Sequence, residues 1–201
     1  MTDGDNAASV VGITFDRAVS AGFRPEAVEG ATESEIDSMV EAQGVSHIPD
    51  ALRAVLRILG RRWGAAMPGT VFGVHGMSED IREQALWCLE EGGDHGMVDP
   101  GHLFVFSAAG GYSYLVIDGV DLEQPDPPVW LLIESCQVKQ IANSVTEWFG
   151  RVIDEVINEK RRLSERRAKG RPEPANEANY RWSDAINEDF GNGRPPVVTP
   201  E

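Results

Sequence analysis

Asp94, His95, Asp99 and His102 fall close together in the run DHGMVDPGH. Side chains of these types ligate zinc or iron when the backbone turns them toward one point. Their spacing matches no helix-based or knuckle-based metal motif. Asp99-Pro100-Gly101 is a turn signature ahead of a strand. The expectation is therefore no resident metal and no cofactor. The remaining histidines, His47 and His75, stand apart. Nucleophilic chemistry has no better footing. No GxSxG elbow and no GxxxxGK[ST] loop occurs. Cys88 falls in a helical pattern and Cys136 at a strand end, where a buried thiol acts as a small apolar group. With so many carboxylates in the chain, acidic pairs arise by chance, and none is assigned to catalysis. The chain is expected not to be an enzyme. The competing reading, a metal-dependent enzyme built on His95, Asp99 and His102, is separated from it by elemental analysis.

The carboxylates suit recognition better. Asp118, Asp121, Glu123 and Asp126 lie within one short loop, IDGVDLEQPDPP, that joins two apolar runs. Loops held by a rigid sheet are common recognition surfaces. Pro125, Pro127 and Pro128 stiffen this one and reduce the entropy lost on binding. These four acids, with the adjoining sheet face, are expected to contact a positively charged protein partner. The alternative is a solvated loop whose acids only keep strand edges from aggregating.

The whole chain has the same bias. Its 201 residues carry a formal net charge of −15. Residues 1–150 hold 23 Asp and Glu against 8 Lys and Arg, so the entire excess lies there; residues 151–201 hold 10 of each. Such a surface repels nucleic acid and anionic lipid and steers a basic partner inward. No apolar run reaches the roughly 18 residues of a membrane span. The first residues lack the basic start and apolar stretch of a signal peptide. With two cysteines and no CxxC pair, the expected compartment is the reducing cytoplasm.

These residues need elements to position them. Phe15, Ala18, Val19 and Phe23 share one helical face, closed by Pro25. Thr32 and Glu35 form a T-x-x-E capping box ahead of Ile36, Met39 and Val40, a helix over 33–43 ended by Gly44. Pro49 and Asp50 open a helix over 49–59, with Leu52, Val55, Leu56 and Leu59 as its stripe. TVFGV reads as a short strand, and Ser78 caps a further helix with Ile81, Ala85, Leu86 and Leu89 inward. Residues 102–107 and 112–118 flank Ala108-Ala109-Gly110-Gly111 as a hairpin, and 129–134 adds a third strand. Ser144 and Glu147 cap a long helix over 144–159, with Trp148 on its apolar face. Beyond Lys160, KRRLSERRAKGRPEP reads as a frayed helix end and charged linker. Residues 161–201 thus form a linker and a partly flexible tail, with one short docked helix around 183–190. Strands in succession without intervening helices predict a single α+β domain: a central antiparallel sheet flanked by helices.

The order of these segments, together with their wording, resembles the SUKH superfamily, which includes bacterial toxin-immunity proteins and Smi/Knr-type cell-wall regulators. ATESEIDSMVEAQGVSHIPDALRAVLRILG is similar to its N-terminal signature, carried here by Thr32, Glu35, Ile36, Glu41, Gly44, Ile48, Pro49, Leu56 and Gly60. HLFVFSAAGGYSYLVIDG is similar to its hairpin, with Gly110, Gly111, Tyr114 and Asp118 in place. IANSVTEWFGRVIDEV resembles its closing helix through Ser144, Trp148 and Phe149. The likeness spans residues 15–160. Two stretches depart from it: GRRWGAAMPG, and a 78–92 helix longer than the pattern. The resemblance implies an immunity protein that binds and neutralises a polymorphic toxin, a basic nuclease domain being the partner that the charge suits. A regulatory adaptor with a cellular partner is the other role it implies. Neither role is catalytic.

Overall fold

The computed structural model describes residues 3–67, 69–92, 95–133 and 137–171. Cys136, Asp94 and the expected 183–190 helix lie outside the described residues. Among the described residues five α-helices and five strands follow in the order α1 (Asp3–Ser20), α2 (Glu33–Ala42), α3 (Asp50–Leu59), β1 (Val71–Phe72), α4 (Glu79–Gly92), β2 (Phe104–Ala109), β3 (Ser113–Ile117), β4 (Val129–Ile133), β5 (Gln137–Ala142) and α5 (Val145–Ala168). The strands make one antiparallel sheet in sequence order, β1-β2-β3-β4-β5. The α+β class and the antiparallel sheet are as the sequence predicts.

Each helix forms for a local reason. At α2 the capping box is complete: the Glu35 N–H donates to Thr32 Oγ1 at 3.3 Å and the Thr32 N–H to Glu35 Oε2 at 2.9 Å. Thr32 thereby holds the Glu35 carboxyl below its usual range. On α3, Ala51, Leu52, Val55, Leu56 and Leu59 are buried, while Arg53 and Arg57 face out toward α2. Arg53 bonds Glu33 and Asp37, and Arg57 bonds Glu33. The Arg57 guanidinium, foremost, holds Glu33 below the ordinary glutamate range. Glycine is required at the β2–β3 turn, where Gly110 and Gly111 have φ of 60° and 76° and the Tyr112 N–H closes onto Ala109 O at 3.2 Å. Only glycine adopts such a pair without steric cost.

Successive strand residues point to opposite faces. Tyr114 shares its face with its register partner Ala108, and Ala108 with Val71. The Tyr114 hydroxyl lies 3.3 Å from Gln84 Oε1, so α4 covers this face. Phe72, next to Val71, faces the other way and stacks on Trp148 of α5. There α1, α3 and α5 pack against one another, with Phe106 and Trp148 ring centroids 5.0 Å apart at the centre. The sheet is thus held between α4 and a three-helix layer.

The structure adds several features to the sequence expectation. The first helix begins at Asp3, not near Phe15, because Ala7, Val11 and Ala18 bury one face of it. A fifth strand, β5, follows β4 as the second edge of the sheet. The last helix runs to Ala168, past the expected end, because Leu163 is buried at 1% exposure. Pro49 is the N-cap of α3, just outside its first turn. The second capping box is displaced by one residue. Ser144 Oγ accepts from the Glu147 N–H at 3.0 Å, but the Glu147 carboxylate accepts from Asn143 at 2.8 Å.

Candidate partner-binding surface

The acidic loop between β3 and β4 divides into residues that hold the fold and residues that face solvent. Asp118 is buried at 1% exposure. Its two oxygens accept the backbone N–H groups of Val98 at 2.5 Å and Asp99 at 2.9 Å. The chain at 98–99 is thereby tied to the end of β3. Gly119 completes the tie: its N–H donates to Asp99 O at 3.2 Å, and a Cβ there would stand 2.7 Å from that oxygen. Asp126 serves α5. It accepts from the Thr146 N–H at 2.9 Å and from the Thr146 hydroxyl. With Ser144, it satisfies two of the donors that every helix leaves open at its start. Asp118, buried, and Asp126, half-buried, therefore use their carboxylates to hold backbone of the fold itself.

Asp121 and Glu123 remain. Glu123 has 87% of its side chain exposed, with its carboxylate 3.9 Å from His47 Nε2. Asp121 is half-buried. Burial, and then the Asp118 carboxylate beside it, push its carboxyl above the usual aspartate range. The Gln124 amide donates to Asp121 Oδ1 at 2.6 Å. The loop is anchored to α3 through the Ala51 N–H, which donates to Pro125 O at 2.9 Å. Recesses flank it on both sides. One of about 300 Å³ lies between His47, Asp50, Glu123 and Pro125. The other, about 420 Å³, is lined by Asn6, Val10, Gln124 and Thr146. Asp50, in the first turn of α3, adds a carboxylate to the first recess that loop composition alone did not indicate.

Catalytic geometry is weak at each place where it could arise. Ser46 Oγ is 2.9 Å from His47 Nδ1, but Glu123 is beyond hydrogen-bond reach of that ring and highly exposed. An imidazole left unoriented is a poor general base. His102 Nδ1 is 3.0 Å from both Asp99 oxygens, with the imidazole largely exposed. His95 lines a recess with Leu86, Leu89, Glu90, Pro100 and Gly101. Among the described residues no three His, Cys, Asp or Glu side chains form a group able to hold a metal ion. No described helix is long and apolar enough to cross a membrane.

The outer face of α4 was not singled out from sequence. Trp87 is 56% exposed there, and Tyr112 at the β2–β3 turn is 54% exposed. The Tyr114 hydroxyl joins the two regions: it donates to Gly111 O at the turn at 2.6 Å, and Gln84 Oε1 of α4 lies 3.3 Å from it. The signal was present in the heptad: with Ile81, Ala85 and Leu89 inward, Trp87 must point out.

Residues 30–151 match the sequence model of the SMI1 / KNR4 family (SUKH-1), more than half of the chain. The match runs from just before α2 into the first turns of α5, and so contains the whole sheet and the acidic loop. No curated protein and no solved structure matches the chain. Proteins of this family are generally non-catalytic immunity or regulatory proteins. The chain belongs to the SMI1 / KNR4 family (SUKH-1).

Proposed function

We propose that the protein is an immunity protein that binds a polymorphic toxin domain in the cytoplasm and neutralises it by covering its active surface. The observation that carries this reading is the family membership, joined to a negative excess confined to residues 1–150. A basic nuclease domain is the partner whose charge is complementary. Toxin nucleases concentrate Lys and Arg where phosphates bind, and a surface of fixed carboxylates competes for those groups and speeds encounter. Glu123, exposed beside two recesses, and the half-buried Asp121 two residues before it, on a loop anchored to α3 and α5, are the proposed contacts from the loop. Asp118 and Asp126 hold that loop in shape.

The test is co-expression with the secreted toxin encoded beside the gene. Growth should be rescued by this protein and not by an immunity protein of another locus. Killing that proceeds unchanged would refute the reading, and recovery of a housekeeping protein in a pull-down would then favour the adaptor role.

A further inference from the structure

The outward stripe of α4 places an indole among carboxylates. At about 100° per residue, Asp80, Glu83 and Glu90 lie within roughly 60° of Trp87 around the helix axis. All three are exposed, as is Trp87. The one base of the helix, Arg82, is turned away and donates to the Leu103 and Gly101 carbonyls. The stripe is therefore purely anionic around its aromatic centre. Two features have no internal benefit. Glu90 is in the last turn, where the helix dipole disfavours a carboxylate. Trp87 leaves more than half its surface in water although apolar positions on the same helix are buried. Beside them, the recess of about 330 Å³ lined by Leu86, Leu89, Glu90 and His95 contains a buried imidazole Nδ1 with no hydrogen-bond partner among the described residues.

We propose that this face of α4 receives an arginine side chain from the surface of a basic protein partner, its guanidinium lying flat on the Trp87 indole between the Glu83 and Glu90 carboxylates. The inference rests on the immunity reading and names a second contact surface for it. A cation over an indole face is attracted by the ring quadrupole, and the attraction grows when water is excluded. Arginine is preferred to lysine because its plane stacks on the ring while its N–H groups reach a carboxylate on either side. Tyr112, exposed at the β2–β3 turn, is a second aromatic side chain of the kind such interfaces favour.

Titration calorimetry with a capped nona-arginine peptide tests the face without knowledge of the toxin. Trp87→Ala leaves net charge unchanged and removes an exposed side chain, so the fold should persist, as thermal melting will check. Its affinity for the peptide should fall roughly 3- to 30-fold. Glu83→Gln with Glu90→Gln should weaken binding more than Asp121→Asn with Glu123→Gln, which removes the same charge elsewhere. Equal affinity of Trp87→Ala and wild type, or equal losses in the two charge pairs, would overturn the proposal. The toxin itself separates the two readings. If wild type and Trp87→Ala protect equally well with the same affinity, the α4 face is not the contact and the immunity reading stands. If wild type gives no protection while the peptide results hold, the immunity reading falls and the arginine site remains.

Discussion

Gln43 shows how one side chain can stand in for a strand. It is buried at 1% exposure at the end of α2, and its amide bonds both backbone groups of Val105, with Nε2 to O and N to Oε1 each at 2.8 Å. Val105 precedes the irregular step in the β2–β3 register, on the side of β2 where β1 pairs only from Ser107 onward. Without Gln43 a buried donor and a buried acceptor would lose their partners. Gln43→Ala should therefore cost about 2–4 kcal/mol, measured by urea denaturation. A loss below about 1 kcal/mol would mean that water replaces the amide. Glu147 makes a pH-dependent contribution. Asn143, through its backbone N–H first, lowers its carboxyl below the ordinary value. A lowered folded-state value adds stability above the unfolded glutamate range near pH 4.3, and the gain is lost as pH falls through the folded value. Glu147→Gln should thus be less stable than wild type at neutral pH, and the two should converge as the pH falls through the lowered folded-state value. Asp121 has the opposite sign, since its carboxyl is raised. A gap between Glu147→Gln and wild type that persists in acid would show that Glu147 acts through packing and not through its charge.

Among the elements, α5 does most to join the halves of the molecule. Trp148 contacts the rings of Phe72, Phe106 and Phe149, so one residue links β1, β2 and the helix layer. Trp148→Ala should cost about 3–5 kcal/mol. A denaturant titration giving less than about 1 kcal/mol would contradict its core role. The capped helices α2, α3 and α5 were legible because their signals are local: a capping box, a Pro-Asp start, a stripe of Leu and Val. β5 was not, because QVKQIA buries only its last residue fully and carries Lys139 and two glutamines on an edge. α1 was legible only in its second half, since small residues such as Ala7 and Gly12 give a weak hydrophobic stripe. The extent of α5 was hidden by charge. KRRLSERRA reads as linker, yet Leu163 is buried and Arg162 pairs with Glu159 at 2.7 Å. The inward turn of Asp118 depends on residues 98–99 folding back across some twenty positions, and no local pattern encodes that contact. Trp87 on its acidic stripe could have been read from spacing alone.

At the scale of the whole molecule, charge separates the fold from its use. The excess of 15 negative charges in residues 1–150 opposes compaction through self-repulsion, and the arginines of α3 offset it only along α2. A field of this kind acts on association rate and is screened over about 8 Å at 0.15 M salt. Replacing Asp121 and Glu123 by Asn and Gln should slow association with a basic partner and flatten its salt dependence, as stopped-flow mixing would record. Asp118 and Asp126 must be left intact in that experiment, because Asp118 holds two backbone N–H groups and Asp126 holds one and the Thr146 hydroxyl. Unchanged rate and salt slope would remove the loop from the interface. The most direct measurement of the central claim is the activity of a toxin domain taken from the genes neighbouring this one, titrated with this purified protein. The account predicts a stoichiometric complex in which toxin activity is abolished at one equivalent. Full toxin activity in the presence of a large excess of the folded protein would contradict it.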